Sequence, residues 1–135
     1  MLSRRGFYTI ETKSISKPLK GETQIKIEND KLIINGRPSL GEPLVQARAE
    51  ATWLKDFLLQ STGKKFYIKP VILIPDWFVE PLKGKQEIWV LNQKALPKFI
   101  AQVDVLISNE DLHMAAYHLS RYIQTPKNQP RLKLA

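Results

Sequence analysis

From Gly6 to Lys13 the chain reads GFYTIETK, alternating large apolar or aromatic residues with polar ones. This period of two predicts a β-strand. Phe7, Thr9, Glu11 and Lys13 then share one face, and Tyr8, Ile10 and Thr12 the other. Two shorter alternating runs, Gln24–Glu28 and Lys31–Asn35, flank Asn29-Asp30. Both of these residue types accept the left-handed backbone of a two-residue hairpin turn. The segment 37–42 reads as a loop, with Gly36, Pro38 and Gly41 as breakers. Pro43 suits the first turn of a helix running to about Ser61, and Gly63 supplies its stop. Lys69–Pro75 (KPVILIP) is an unbroken apolar stretch, the pattern of a strand buried on both faces. Gln86–Leu91 predicts another strand and Ala95–Val103 a short helix. Ser108 and Asp111 form a capping-box variant that opens the last helix. Its apolar stripe is Leu112, Ala115, Ala116, Leu119 and Ile123. From Pro126 onward the chain turns polar and proline-containing, which predicts a flexible basic tail over 126–135.

The order strand, hairpin, long helix, buried strand, strand, helices predicts an α/β or α+β domain with a mixed sheet. A chain of 135 residues fits one such domain. Its 43% apolar and 25% charged content is ordinary for a soluble globular protein. No apolar run is long enough to span a bilayer. The opening Met1-Leu-Ser-Arg-Arg-Gly is too short and too polar for a secretory signal, so a cytoplasmic location is expected. The absence of cysteine removes disulfides and thiolate zinc sites. Charge changes the picture more: 21 basic against 13 acidic residues leave a net +8. That excess favours a polyanionic partner, nucleic acid first and an anionic membrane surface second.

The sharpest local feature is Glu11-Thr12-Lys13, where residues two apart in a strand present a carboxylate and an ammonium side by side. A metal-dependent phosphodiesterase uses both. The carboxylate suits a hard cation such as Mg²⁺ or Mn²⁺, and the lysine can orient a water or stabilise developing charge. On the long helix, at about 100° per residue, Gln46, Glu50, Trp53 and Phe57 fall in one narrow sector. A glutamine and a glutamate beside an apolar arc need partners. Gln46 is the stronger site candidate, while Trp53 and Trp89 read as core. His113 and His118 are five apart on a helix and point nearly opposite ways. No glycine-rich phosphate loop is present. Asp76, within Pro75-Asp-Trp-Phe-Val79, reads as part of a strand-end turn packed by Trp77 and Phe78.

The ordered set GFYTIETK, Asn35-Gly36, Gln46-Ala-Arg-Ala-Glu-Ala-Thr-Trp-Leu54 and Pro70-Val-Ile-Leu-Ile-Pro-Asp-Trp-Phe-Val79 resembles the nuclease-related domain family. In that family a strand ending in I-E-x-K precedes a helix bearing a glutamine. The resemblance implies a restriction-endonuclease-like mixed β-sheet flanked by helices, of the PD-(D/E)xK superfold, and a role in processing DNA with Mg²⁺ or Mn²⁺. It implies that Glu11 binds metal, that Lys13 positions the attacking water and that Gln46 supports the site. Arg4, Arg5, Lys17 and Lys20 would meet phosphates. The superfold's first metal-binding aspartate lies on a strand before the E-x-K strand, for which there is no room between Met1 and Gly6. The expectation is therefore a partial domain over 1–125, amino-terminally truncated and lacking its first helix and strand, inactive by itself. The alternative is a non-catalytic DNA-binding or protein-interaction module on the same fold.

Overall fold

A computed structural model describes residues 1–16, 24–79 and 86–125 of the chain. A short strand, β1 (Leu2–Ser3), turns at Arg4-Arg5 into β2 (Gly6–Thr12), the strand that ends in the Glu11 motif. The turn depends on Gly6. Its φ of +134° is a backbone angle that L side chains rarely adopt, and a Cβ there would stand 2.8 Å from the Tyr8 hydroxyl. That hydroxyl in turn donates to the Arg5 carbonyl at 2.8 Å. Gly6→Ala is expected to destabilise the fold by about 1–3 kcal/mol, the usual cost of one strained residue. Urea unfolding would read this as a lowered midpoint.

The alternating runs expected to pair do so, as β3 (Gln24–Glu28) and β4 (Lys31–Ile34). Asn29 and Asp30 both adopt positive φ, 51° and 60°, as a primed hairpin turn requires. A second such turn at Asn35-Gly36 leads into β5 (Arg37–Pro38), inside the segment read as loop. Helix α1 (Pro43–Thr62) starts and stops where the sequence predicts, and Gly63 closes it in the left-handed conformation with its N–H on the Leu59 carbonyl. Then come β6 (Ile68–Leu73), β7 (Phe78–Val79), β8 (Trp89–Leu91), α2 (Leu96–Ala101) and α3 (Asn109–Gln124). Ser108 caps α3 by accepting from the Asp111 N–H. The expected basic tail lies outside the described residues.

The strands form two mixed four-stranded sheets rather than the single sheet expected. The first has the order β1-β2-β6-β8, with β2, β6 and β8 parallel and β1 antiparallel to β2. The second has the order β5-β4-β3-β7. The split arises at the end of β6. There Asp76 takes a φ of 65°, and its N–H and carboxylate are both held by Gln93. The turned chain pairs β7 with β3 instead of prolonging the first sheet.

Helix α1 packs across the first sheet along the stripe Leu44, Ala47, Ala51, Leu54 and Leu58. Its first half shares a core with Ile25, Leu32, Ile72, Ile74, Trp77 and Val90, which joins the two sheets. Its second half shares another with Phe7, Phe66, Ile68, Ala115 and Leu119. Each fully buried side chain of this size contributes roughly 1.5–3 kcal/mol. On the other face of the first sheet Tyr8 stacks on Trp89 with ring centroids 5.5 Å apart, and Phe99 of α2 meets Trp89 edge-on. A cavity of about 1260 Å³ opens there, lined in part by Tyr8, Lys69, Trp89 and Phe99.

Two apolar expectations need correction. The buried stripe of α3 is only Ala115 and Leu119, because α3 meets α1 along one narrow seam; Ile123 is 38% exposed. Trp53, read as core, is 37% exposed, because it stands beside the buried stripe of α1 rather than on it.

Candidate active site

Phe7, Thr9 and Glu11 lie on the α1 face of β2, since Phe7 is in the core shared with that helix and strand side chains alternate. Two alanines of α1 lie against the sheet, Ala51 in the core that holds Phe7 of β2 and Ala47 in the core that holds Ile72 of β6, and small side chains let the helix approach closely. Burial therefore decreases along this face, from Phe7 and Thr9, both essentially buried, to a half-buried Glu11 at the rim. Lys13 follows the strand, but its N–H still bonds to the Leu73 carbonyl at 2.8 Å. The extended pairing keeps Lys13 on the Glu11 side. Among the described residues its ammonium has no ion pair.

What faces Glu11 from the helix is Glu50. Its carboxyl is raised from an ordinary 4.5 to about 7. Burial is the largest cause, followed by repulsion from Glu11 and by the bond to it. The Glu11 Oε2 atom is buried and receives no conventional donor. Two carboxylates so placed repel each other unless something positive lies between them, a shared proton or a cation. Below about pH 7 a proton on Glu50 serves. The same strand face holds a second unsatisfied buried acceptor, the hydroxyl of Thr9.

This pair makes stability depend on pH. A carboxyl whose pKa rises on folding contributes stability that is complete below 4.5 and is lost as pH rises through about 7. Glu50→Gln, which keeps a donor for Glu11 at every pH, is expected to flatten that decline. Urea midpoints at about pH 5 and about pH 8 should converge in the variant and differ in the parent.

The other expected site residues are distributed unevenly. Gln46 sits one turn before Glu50 on the same flank of α1, exposed and without a side-chain hydrogen bond among the described residues. Arg4 and Arg5 occupy the opposite end of β2, about 20 Å from Glu11 at roughly 3.3 Å per strand residue. Their guanidinium groups donate to backbone carbonyls of the segment before α3: Arg4 to Ile107 at 3.1 Å and Arg5 to Val103 at 2.5 Å. The structure thus gives both a docking role and does not bring them to the motif. Lys17 and Lys20 lie outside the described residues. Glu50 is the candidate that the sequence reading ranks below Gln46 and that the structure places opposite Glu11. Its signal was the shared sector with Gln46, but periodicity alone does not say which strand residue a helix face meets.

β1 pairs only with Gly6 and Phe7, and Met1 adds two bonds to Tyr8. Among the described residues no strand continues this pairing beside residues 9–12. Glu11 therefore stands beside the part of this edge that β1 leaves unpaired among the described residues. No group of three or more His, Asp or Glu side chains is placed to hold a metal ion among the described residues. Two carboxylates suffice for Mg²⁺ or Mn²⁺, ions that keep several waters and take one or two protein carboxylates together with substrate phosphates. The orphaned Glu11 oxygen facing Glu50 fits such an ion. No described helix is long and apolar enough to cross a membrane.

Comparison with curated proteins and with solved structures gave no match. Comparison with protein families did: the family described as the nuclease-related domain matches residues 1–75, more than half of the 135. The matched stretch carries the whole candidate site, Glu11 on β2, Lys13 just after it, and Gln46 and Glu50 on α1, together with β6 that supports β2. With its mixed α/β architecture, the chain belongs to the nuclease-related domain family.

Proposed function

We propose that the carboxyl end of β2 is a divalent-metal-dependent site for phosphodiester cleavage in DNA. The observation that carries this reading is Glu50 facing the unsatisfied Oε2 of Glu11, two residues before Lys13, which has no ion pair among the described residues. In it Glu50 takes the second-carboxylate role that the sequence alone left without a candidate. Glu11 and Glu50 would hold Mg²⁺ or Mn²⁺. Such an ion supplies Lewis-acid stabilisation of the phosphate and an acidified water. Lys13 contributes a fixed positive charge next to that position, orienting a water and stabilising charge that develops on phosphate oxygens. Gln46, one turn away, is free to bind a phosphate oxygen or water at the same rim. The net charge of +8 favours a polyanionic substrate and makes its binding weaken with added salt.

The test is cleavage of labelled DNA by the purified chain with Mn²⁺ or Mg²⁺ and with EDTA. Metal-dependent cleavage is expected, and Lys13→Ala should lower it about 10²–10³-fold, the usual loss for one charge-stabilising group. Cleavage that persists in EDTA, or that Lys13→Ala leaves unchanged, would overturn the mechanism. The second reading is a DNA-binding module without catalysis. It is favoured by the presence of only two carboxylates at the described site, and it predicts DNA binding indifferent to EDTA with no cleavage in either condition.

A further inference from the structure

The flank of α1 that carries Glu50 continues into an exposed aromatic group. Trp53 lies three residues on, about 4.5 Å along the helix axis. Like Glu50, it stands one position ahead of a buried residue of the stripe. Phe57 stacks on Trp53 with ring centroids 5.4 Å apart and planes 9° from parallel. Tyr122 of α3 meets both rings at an angle, 5.4 Å from Trp53 and 5.0 Å from Phe57. Two neighbours thus fix the indole while 37% of Trp53 remains open to water. Long helical side chains lean toward the amino terminus, so Trp53 covers the turn that bears Glu50.

We propose that Trp53 is a stacking platform for an unpaired base of single-stranded nucleic acid whose backbone passes Glu11 and Glu50, which makes single-stranded or locally unpaired DNA the substrate class. This rests on the phosphodiesterase reading of the carboxylate pair. A rigid indole next to a phosphate-handling site matches the general design of single-strand binders, in which aromatic faces take bases and cations follow the backbone. Bases inside a duplex have both faces occupied and cannot use such a platform without leaving the stack. The overall positive charge, together with Lys13 two residues beyond Glu11 and without an ion pair among the described residues, favours nucleic acid over a protein partner for this patch.

The experiment is binding in EDTA, so that it reads stacking whether or not the chain cleaves. A fluorescein-labelled thymidine oligomer and a duplex of equal length are titrated with the full chain, following anisotropy and tryptophan emission. The oligomer should bind and quench tryptophan emission, since Trp53 is an exposed indole while Trp77 is buried and Trp89 is half-buried between Tyr8 and Phe99 on the other face of the first sheet. Trp53→Ala should weaken single-strand binding about 5- to 100-fold, the range that loss of one base–aromatic stack implies, and change duplex binding less than about twofold. Trp53→Phe, which keeps an aromatic face against Phe57 and Tyr122, should retain single-strand affinity within about threefold and lose most of the quenching. If the alanine variant does not fold, the native chain and Trp53→Phe decide by the quenching. Binding without quenching, or a Trp53→Ala chain that binds the oligomer as tightly as the parent, would overturn the proposal. So would equal losses on oligomer and duplex, or a concentration-dependent dimer that Trp53→Ala abolishes while DNA binding is unchanged. Absence of cleavage alongside intact, Trp53-dependent binding would refute the catalytic reading alone.

Discussion

Glu11→Gln is expected to abolish divalent-metal binding and to lower metal-dependent DNA cleavage by at least about 100-fold, in line with losing a group that acts directly on the reacting phosphate. The substitution keeps shape and removes one negative charge, so the fold should survive. The same change relieves Glu50. With no anion opposite, repulsion from Glu11 and the carboxyl–carboxylate bond both vanish, leaving burial as the force that raises Glu50. The Glu50 carboxyl should titrate below about 7 in the variant, and stability at alkaline pH should hold or rise. Loss of activity with unchanged or improved stability is the pattern of a functional site that strains the fold. Urea unfolding and a cleavage time course on the same preparation would show whether the two effects separate. Equal losses of both would mean that Glu11 is structural.

Trp77→Ala should be the most damaging single change to the fold, at about 3–5 kcal/mol, the range for truncating a buried large aromatic residue. Trp77 is 1% exposed and stands in the core that joins the two sheets. Its indole N–H donates to the Ile15 carbonyl at 2.8 Å, and its own carbonyl accepts from Asn92 at 3.0 Å. The first bond matters for function as well, because Ile15 lies two residues beyond Lys13 and the bond anchors the chain as it leaves β2. Trp77→Phe fills most of the volume but leaves that carbonyl without its donor, an expected cost of about 1–3 kcal/mol. It should also lower cleavage by loosening Lys13, with metal binding at Glu11 and Glu50 retained. Thermal or urea unfolding measures the first effect; metal titration and cleavage rates measure the second.

Much of the fold was legible because local chemistry dictates it. Asn29-Asp30 can adopt positive φ and therefore closes β3 on β4. Pro43 and Gly63 bound α1 through opposite backbone preferences, and Ser108 caps α3. The division into two sheets was not legible. β7 is only two residues long, and its pairing with β3 follows from the left-handed turn at Asp76, which a sequence pattern does not disclose. The exposure of Trp53 was hidden for a related reason, since helical periodicity identifies a sector but not how far the neighbouring helix covers it.

The candidate site divides the same way. Strand alternation placed Glu11 and Lys13 on one face, and helical spacing placed Gln46 beside Glu50. Which carboxyl meets Glu11 depends on how α1 lies across the sheet, where Ala47 and Ala51 are buried. Arg4 and Arg5 seemed near the motif because they are close in sequence. A strand separates its ends by its full length, so their guanidinium groups dock the segment before α3 instead.

The central claim is that Glu11 and Glu50 form one divalent-metal site. It is tested most directly by calorimetric titration of Mn²⁺ into the native chain, Glu11→Gln and Glu50→Gln near pH 7. The account predicts one ion per native chain, a heat that varies with the buffer because Glu50 gives up its proton as the ion binds, and loss of binding in both variants. Native protein that binds no ion, or variants that bind it as the native chain does, would contradict it.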